Sequence, residues 1–599
     1  MTITRREALG QTLGAVAASA HSSAQDGPGA KAGDEGQQVF LRLVKANDET
    51  AGRILRQAPA PGGAAARVGR GGDLASLVAA YCATESAFYR SQSLIPKMEG
   101  SAQTLLDALH PDGLLDAGNL SSPPDTGFVV EAVAASLAVV RRSQDERLAG
   151  LRAILDRFLL RVGEALLIGG VHTPNHRWVI CAALARIHSL FPAPKYIERI
   201  DDWLGEGIYQ DADGLFPERS PNYARVEVNA FLTMARLLNR PALLEPVRKY
   251  LESNLYLMQP DGELETINSR RQDQDRPVQV ANFYLQYRYL AIRENNPTFA
   301  AVARLILERP GEGLVEGANP VIYFLEEPLF RKPLPGGGAI PANFARVFAN
   351  SQLVRIRRGG RAASIFGGND QPLGIASGLA HNPTFFNFRN GRAVLNSVRM
   401  GGPFFSLGVF RAEGIKVAGQ QTVLHQRLEA PYYQPLPKEY RNPNGDYALT
   451  PVKDGRFWSK LDFPHRQMSG VQVLDQQVTV IEKEGLFELH FEITGHERVP
   501  YAIELAFRPG GQFGGAMRES AAGGRPGGDG KALFLTEGMG TYRVGDEGIE
   551  FGPGQAEHEV ISLSGHTYQA HGAVLRAAGS CVYITGYTPF RKVITIRGV

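Results

Sequence analysis

The sequence predicts an α+β multidomain chain in which a helical N-terminal (α/α) toroid is followed by a C-terminal antiparallel β-sandwich. Three observations predict it. From about residue 36 to 310 the apolar residues recur three and four apart, as in Val39-Leu43-Val44, Leu74-Leu77-Val78-Tyr81, Leu148-Leu151-Ile154-Leu155 and Phe231-Leu232-Ala235-Leu238, the spacing of one helix face. Beyond about residue 340 the pattern becomes strict alternation, clearest in Val471-Val473, Val478-Val480 and Phe487-Leu489-Phe491-Ile493, with turns such as Gly359-Gly360 between runs. The chain of 599 residues is also too long for a single core, and at 43% hydrophobic and 21% charged it has an ordinary globular composition.

Taken in order, residues 1–24 read as an export signal. Arg5 and Arg6 precede a mildly apolar run that ends in the small residues Ala18-Ser19-Ala20, a pattern similar to a twin-arginine signal, so the expected location is periplasmic or secreted. Residues 36–310 form the helical domain. Similar turns recur in it at Pro111-Asp112-Gly113, Gly169-Gly170, Ala212-Asp213-Gly214 and Pro260-Asp261-Gly262, with glycines 57, 44 and 48 residues apart. Each interval fits one helical hairpin, and hairpins that cannot bury their apolar faces alone close into a ring or stack into an open solenoid. Residues 311–341, rich in Pro and Gly from Pro333 to Pro341, read as a linker, and 342–599 as the β domain. Within that domain Gly510 to Gly530 reads as a long mobile loop.

Charge and cysteine content exclude several function classes. The net charge of +3 comes from 64 basic and 61 acidic residues without a Lys/Arg block, which argues against a nucleic-acid partner. The N-terminal apolar run is shorter than the ~20 residues of a membrane span, and no later stretch reads as one. Three widely spaced cysteines, Cys82, Cys181 and Cys581, do not form a disulfide framework or a thiolate metal site. Cys181 lies in an apolar run and reads as buried. The oligomeric state is not readable.

Polar residues cluster just after the repeated turns. Asn119 is six residues past Gly113, His176 six past Gly170, Arg219 and Tyr223 five and nine past Gly214, and Arg270 and Arg271 eight and nine past Gly262. If the hairpins are equivalent, these side chains converge on one mouth of the ring. An amide, an imidazole, a phenol and guanidinium groups suit elimination from a uronate. The proton on C5 is weakly acidic while the neighbouring carboxylate is fully charged, so an amide or guanidinium on the carboxylate stabilises the enolate-like transition state. A base then takes the proton and an acid protonates the departing O4. His176 and Tyr223 are the candidates for those two roles, with Asn119 and Arg219 as neutralisers. This chemistry requires no cofactor.

Asn175-His176-Arg177-Trp178 at one helix start and Glu218-Arg219-Ser220-Pro221-Asn222-Tyr223 at the next resemble the heparinase II/III-like and related alginate or glucuronan lyases. The resemblance implies a helical toroid with a β-sandwich, an acidic polysaccharide substrate, and an active site of Asn, His, Tyr and Arg with the His and Tyr about one hairpin apart. Here His176 and Tyr223 are 47 residues apart. Arg219, Arg270 and Arg271 each qualify as the arginine. Asn175, Trp178, Arg270, Arg271, Tyr432 and Tyr433 are expected to contact substrate, the two tyrosines together with Tyr440 at the domain interface.

Each of these residues has a plainer reading. His176 fits a helix cap, Tyr223 a packed ring, Arg219 a partner of Glu218, and Asn119 a turn before Ser121 and Ser122. His172 and His176 are four apart, but Pro174 lies between them and no glutamate follows as in zinc proteases. His381, His425 and His465 leave room for a structural metal in the β domain of the kind some relatives of the resembled family hold, although their spacing fits polar residues with ordinary partners as well. The rival functions are a glycoside hydrolase using paired carboxylates among Asp125, Asp213, Glu218 and Glu263, and a carbohydrate-binding envelope protein without enzymatic activity.

Overall fold

Two helices that frame the site begin on the same local chemistry, a serine followed by proline. Ser122 accepts from the Asp125 N–H ahead of Pro123–Ser143, and Ser220 accepts from the Tyr223 N–H ahead of Pro221–Leu237. Each hydroxyl satisfies one of the unpaired N–H groups of a helix start, and proline supplies a preset φ where its missing N–H costs nothing.

The structure is a computed structural model that describes residues 35–57, 71–271, 273–274, 277–308, 320–368, 382–405, 407–455, 458–520, 531–563 and 579–599. The export signal and His381 lie outside the described residues. Among these residues twelve α-helices occupy the N-terminal half: α1 Glu35–Arg56, α2 Gly72–Cys82, α3 Ile95–Asp107, α4 Pro123–Ser143, α5 Ala149–Ile168, α6 His176–Leu190, α7 Pro194–Gly205, α8 Pro221–Leu237, α9 Leu244–Leu257, α10 Tyr284–Arg293, α11 Pro297–Glu308 and α12 Pro320–Glu326. They form two rows. One runs α2, α4, α6, α8, each packed on the next, while α3 packs on α5 and α5 on α7 in the other. The first helix also meets the eleventh. Arg42 of α1 donates to the Leu307 carbonyl of α11 at 2.8 Å, and Arg304 of α11 pairs with Glu35 of α1 at 2.8 Å.

Three of the four repeated turns share one backbone. The N–H groups of His110, Asp211 and Gln259 donate to the carbonyls of Leu114, Leu215 and Glu263, and Gly113, Gly214 and Gly262 donate back three residues. The three glycines sit at φ of 81–85°, left-handed backbone that a β-carbon disfavours. At Gly214 a β-carbon would also come within 2.8 Å of the Lys249 carbonyl. Gly169-Gly170 is a different turn, so the fourth repeat is one of spacing only.

The helix α4 is 21 residues long with a mean hydropathy of 1.3 in its most apolar window, enough by length and composition to cross a membrane. No span is expected there from the sequence. Of that window 72% is buried, and the helix packs against α2 and α6, which gives its apolar character a partner inside the protein.

Two boundaries differ from expectation. The stretch read as linker contains α12 and the 3-10 helix Pro328–Arg331, and α12 packs on α2 and α4. Pro320, Val321, Ile322 and Phe324 are buried there, so the helical half extends through the first part of that stretch, up to the Pro- and Gly-rich run that begins at Pro333. The expected loop at Gly510–Gly530 holds the strand Gln512–Glu519, which pairs with Ala532–Val544. Residues 521–530 lie outside the described residues.

The C-terminal half is one large curled sheet of fifteen strands among the described residues. Its path starts with five consecutive antiparallel strands from Asn343–Phe348 to Ala393–Gly401. It then crosses through Pro500–Phe507 and Cys581–Tyr587, and ends on Met468–Lys483, Gln421–Tyr433 and Ile415–Ala418. One pair, Ala532–Val544 with Cys581–Tyr587, is parallel, which corrects the expectation of a wholly antiparallel domain. The alternation at Phe487, Leu489, Phe491 and Ile493 is borne out, since all four are at most 2% exposed. Val471 and Val473 are not buried, because a register shift between Ser469 and Gln472 lets that end of its strand leave the core.

Arginines join the two halves. Arg355, buried on the strand Leu353–Arg358, donates to the Tyr256 carbonyl at 3.3 Å, to Gln259 Oε1 at 3.1 Å and to Glu265 Oε2 at 3.2 Å. Arg508 clasps Glu263 at 2.8 and 2.9 Å, and Arg389 bonds the same carboxylate.

Candidate active site

Tyr223 stands in the first turn of α8 because Arg219, at a left-handed φ of 49°, turns the chain into the Ser220 cap. Its hydroxyl accepts from Arg271 Nη2 at 3.0 Å, and the Arg271 guanidinium carbon lies 4.2 Å from its ring centroid. Arg271 also reaches Glu218 Oε1 at 3.3 Å, and Glu218 Oε2 accepts from Asn175 Nδ2 at 2.7 Å. Tyr223, Arg271, Glu218 and Asn175 are therefore joined by two hydrogen bonds and, between Arg271 and Glu218, an ion pair, a chain that links the starts of α8 and α6 to the loop after Gly262. Asp273 pins that loop, accepting from the Ser220 hydroxyl at 2.6 Å and from the Ser269 hydroxyl.

His176 opens α6 directly after Asn175 and is 9% exposed. Its ring meets His172 edge-on with centroids 4.8 Å apart and Phe128 of α4 at 6.4 Å. Asn119 lies before α4 with its amide exposed. Its Nδ2 donates to Asp125 Oδ2 at 2.8 Å, which commits one amide hydrogen and leaves a second.

The buried carboxylates have unequal surroundings. Burial pushes the Glu218 carboxyl up, against the Asn175 hydrogen bond and the Arg271 charge that favour its ionised form, and Asp273 adds to the rise. Glu227, one turn further along α8 from Tyr223, is 1% exposed. Burial holds its carboxyl well above the usual carboxylate range, with the Glu218 charge adding to the effect and Arg177 opposing it.

Several expected contacts take other roles. Arg219 donates to the Asn350 carbonyl at 2.7 Å, a tie to the β half, and the arginine on Glu218 is Arg271. Arg270 donates to the Pro217 carbonyl at 3.0 Å and so braces the loop. Trp178 is 1% exposed and packs on Phe231 at 5.0 Å, a core position rather than the exposed one expected of a substrate contact. Tyr432 is 57% exposed with its ring at Phe405, and Tyr433 packs on Phe463 while its hydroxyl accepts from the Lys453 N–H. Their contacts run within the β half rather than to the helices. Tyr440 stacks on His465 at 4.0 Å. His425 bonds Asp475 at 3.0 Å and His465 bonds Asp462 at 2.8 Å, and no metal-binding group of three or more His, Cys, Asp or Glu exists among the described residues. The three cysteines are free thiols, with Cys181 buried as expected. Burial pushes Cys82 up to about 12.

Sequence reasoning missed the roles of Glu218 as the hub between Asn175 and Arg271, of Asp273 as the loop pin, and of Glu227. Only Glu227 left a usable signal. It falls four residues after Tyr223, on the face that carries Val228, Phe231 and Ala235, so an acid is set in an apolar stripe.

No protein-family model matches the sequence, and no curated protein matches it. Solved structures do. The chain aligns with heparinase III at a TM-score of 0.52 and 11% identity, covering 91% of this chain and 79% of that one. It aligns with the chondroitin AC lyase of Streptomyces coelicolor A3, solved with chondroitin sulphate, at 0.51 and 14%, covering 96% and 81%. A Paenibacillus xanthan lyase aligns at 0.53 and 10%, covering 95% of this chain and 58% of that longer one. The chain thus has the fold of polysaccharide lyases whose sequences it barely shares.

Proposed function

We propose that the chain is a polysaccharide lyase that cleaves a uronic-acid-containing polysaccharide, of alginate, glucuronan or glycosaminoglycan type, by β-elimination. The observation that carries this reading is the Arg271 guanidinium on the Tyr223 hydroxyl at 3.0 Å, held there by the buried Glu218–Asn175 pair. A cation fixed on a phenolic oxygen stabilises negative charge that develops there as a proton moves, and it needs no reorganisation during the step. Tyr223 and His176 share the base and acid roles. The base removes the C5 proton, the electron pair forms the C4–C5 double bond, the bond from C4 to O4 breaks, and the acid protonates O4. The second amide hydrogen of Asn119 serves the uronate carboxylate.

The hydrolase reading loses support at its own candidates. Asp125 accepts from Ser122 and Asn119, Asp213 accepts from the Asn350 N–H at 2.7 Å, Glu218 holds Arg271, and Glu263 is clasped by Arg508. Each carboxylate is already occupied in holding the fold, whereas hydrolysis needs one free to activate water.

The same reading includes the closed architecture. The contacts of α11 with α1, and one cavity lined from α2, α4, α6, α8, α10 and α12, support an (α/α) toroid. A sheet of fifteen strands supports a sandwich formed by its curling. Export to the periplasm or beyond through residues 1–24 is part of the proposal, and sequencing the N-terminus of the native protein tests it. The activity is tested by incubating the protein with alginate, glucuronan and glycosaminoglycans while following ultraviolet absorbance of the unsaturated uronate. Absorbance that rises with one polymer is the expected result, and none with any uronate polymer overturns the proposal.

A further inference from the structure

The helical half holds a half-open cavity of about 230 Å³ that the chemistry above does not use. Ala75 of α2, Glu131 of α4, Ala182 of α6, Asn229 of α8, Leu285 of α10 and Tyr323 of α12 all line it. Its depth follows from helix geometry. Val179 comes three residues after His176 and Val226 three after Tyr223, and both line the wall. Three residues are nearly one turn and advance ~4.5 Å along the axis, so the cavity begins one turn below the proton-transfer pair on the same helix faces. Phe128, whose ring meets His176, lines it too.

The polar side of the wall has a fixed hydrogen-bond direction. Both Glu131 oxygens accept from Arg186, at 2.7 and 2.8 Å, so Asn229 turns its Nδ2 to Glu131 at 3.3 Å. Asn229 Oδ1 then accepts from Gln286 Nε2 at 3.1 Å. The chain of bonds ends on Gln286 Oε1, a buried carbonyl with no hydrogen-bond partner among the described residues, on a side chain whose residue is 3% exposed. A buried acceptor left unmet is unfavourable, and a hydroxyl satisfies it. The charged wall residues, Glu131 and Arg225, are of opposite sign, so the wall favours a neutral guest. Pockets for drug-sized ligands run from ~300 Å³ upward, and this smaller volume suits a single ring.

We propose that this cavity binds one neutral, hydroxyl-rich pyranose, the terminal sugar of a chain whose uronate lies at the mouth beside His176 and Tyr223. The binding site stands on the cavity alone, while the direction of chain entry rests on the lyase reading. The test is calorimetric titration of the full chain with glucose, galactose, mannose and N-acetylglucosamine, with glucuronate and galacturonate as charged comparisons. Saturable binding of at least one neutral sugar is expected, about tenfold or more tighter than the uronate of the same configuration. Ala182→Phe, which fills the cavity, and Gln286→Leu, which removes the unmet acceptor, should each weaken it about tenfold or more at the parental melting temperature. Ala75→Leu replaces Ala182→Phe if the latter does not fold. No neutral sugar bound by the folded parent, or parental binding by the folded cavity variants, means that water alone fills the space and overturns the proposal. Unsaturated product without sugar binding removes only the cavity site, and sugar binding without unsaturated product removes only the lyase reading.

Discussion

The guanidinium of Arg271 donates to the hydroxyl of Tyr223 and covers its ring, although the two residues are 48 positions apart and belong to different turns of the helical half. Replacing Tyr223 with Phe removes the oxygen and keeps the ring, so turnover on uronate polymer should fall about 10²–10⁴-fold in a folded protein. Arg271→Met should cost about 10²–10³-fold by removing the preorganised charge. Because both act in one step, the double variant should be scarcely slower than Tyr223→Phe. Steady-state rates with melting temperatures check this, and a multiplicative double loss would mean that the pair does not act together.

Asn175 positions the pair from behind. Without its amide, Glu218 is held by Arg271 alone and draws the guanidinium away from Tyr223. Asn175→Ala should lower kcat about tenfold or more with little change in KM, the mark of an interaction made chiefly in the transition state. Asn175→Asp, which sets a second carboxylate against Glu218, should be worse. A rise in KM at unchanged kcat would reassign Asn175 to substrate binding.

Glu227 carries a prediction about pH and stability. Its carboxyl is raised above the 4.5 of a free glutamate, chiefly by burial. The folded protein therefore holds this proton more tightly than the unfolded chain does. The resulting stabilisation is complete below pH 4.5 and is lost as pH rises through the elevated value, by about 1.4 kcal/mol for each unit of elevation traversed. Glu227→Gln keeps the shape and cannot ionise, so its stability advantage over the parent should grow from mild acid to pH 8. Urea unfolding at a series of pH values reads it, and a constant difference across the series would contradict the assignment.

The parts of the fold that were legible in the sequence are those set by local chemistry. The Asp-Gly turns at Gly113, Gly214 and Gly262 needed left-handed backbone, and the alternation at Phe487 to Ile493 needed a buried sheet face. The helix at Pro320–Glu326 was not legible, because the composition of Pro333 to Pro341 marks a linker while what makes the helix is burial of Val321 to Phe324 against distant helices. The site was legible as a set of residue types but not as a wiring. Glu218 looked like the partner of its neighbour Arg219, yet adjacent residues point apart, and the guanidinium that reaches it comes from the next turn. Trp178 looked like a sugar platform because its position beside His176 is visible in the sequence and its burial under Phe231 is not.

A buried ion network fastens the helices under the site. Arg186 of α6 bonds Glu131 of α4 and, at 2.7 Å, Glu326 of α12, and Arg236 of α8 reaches Glu326 at 3.1 Å. Burial would raise the Glu326 carboxyl, but the two arginines more than offset it and hold it at about 2. This contribution is present above pH 4.5 and is lost as pH falls toward 2. Arg186→Met leaves the buried Glu326 and the partly buried Glu131 short of their cation and should destabilise the helical half by about 3–5 kcal/mol. Thermal unfolding at neutral pH checks it, and the deficit should shrink in acid as the carboxylates take up protons.

Elimination and hydrolysis differ by one water, so degrading the uronate polymer in heavy-oxygen water and weighing the products separates the two. A lyase yields new non-reducing ends that are one water lighter than saturated sugar, absorb in the ultraviolet, and carry no heavy oxygen from cleavage, and this is the expected result. Saturated products with one heavy oxygen per bond broken would contradict it and would give the site to a hydrolase.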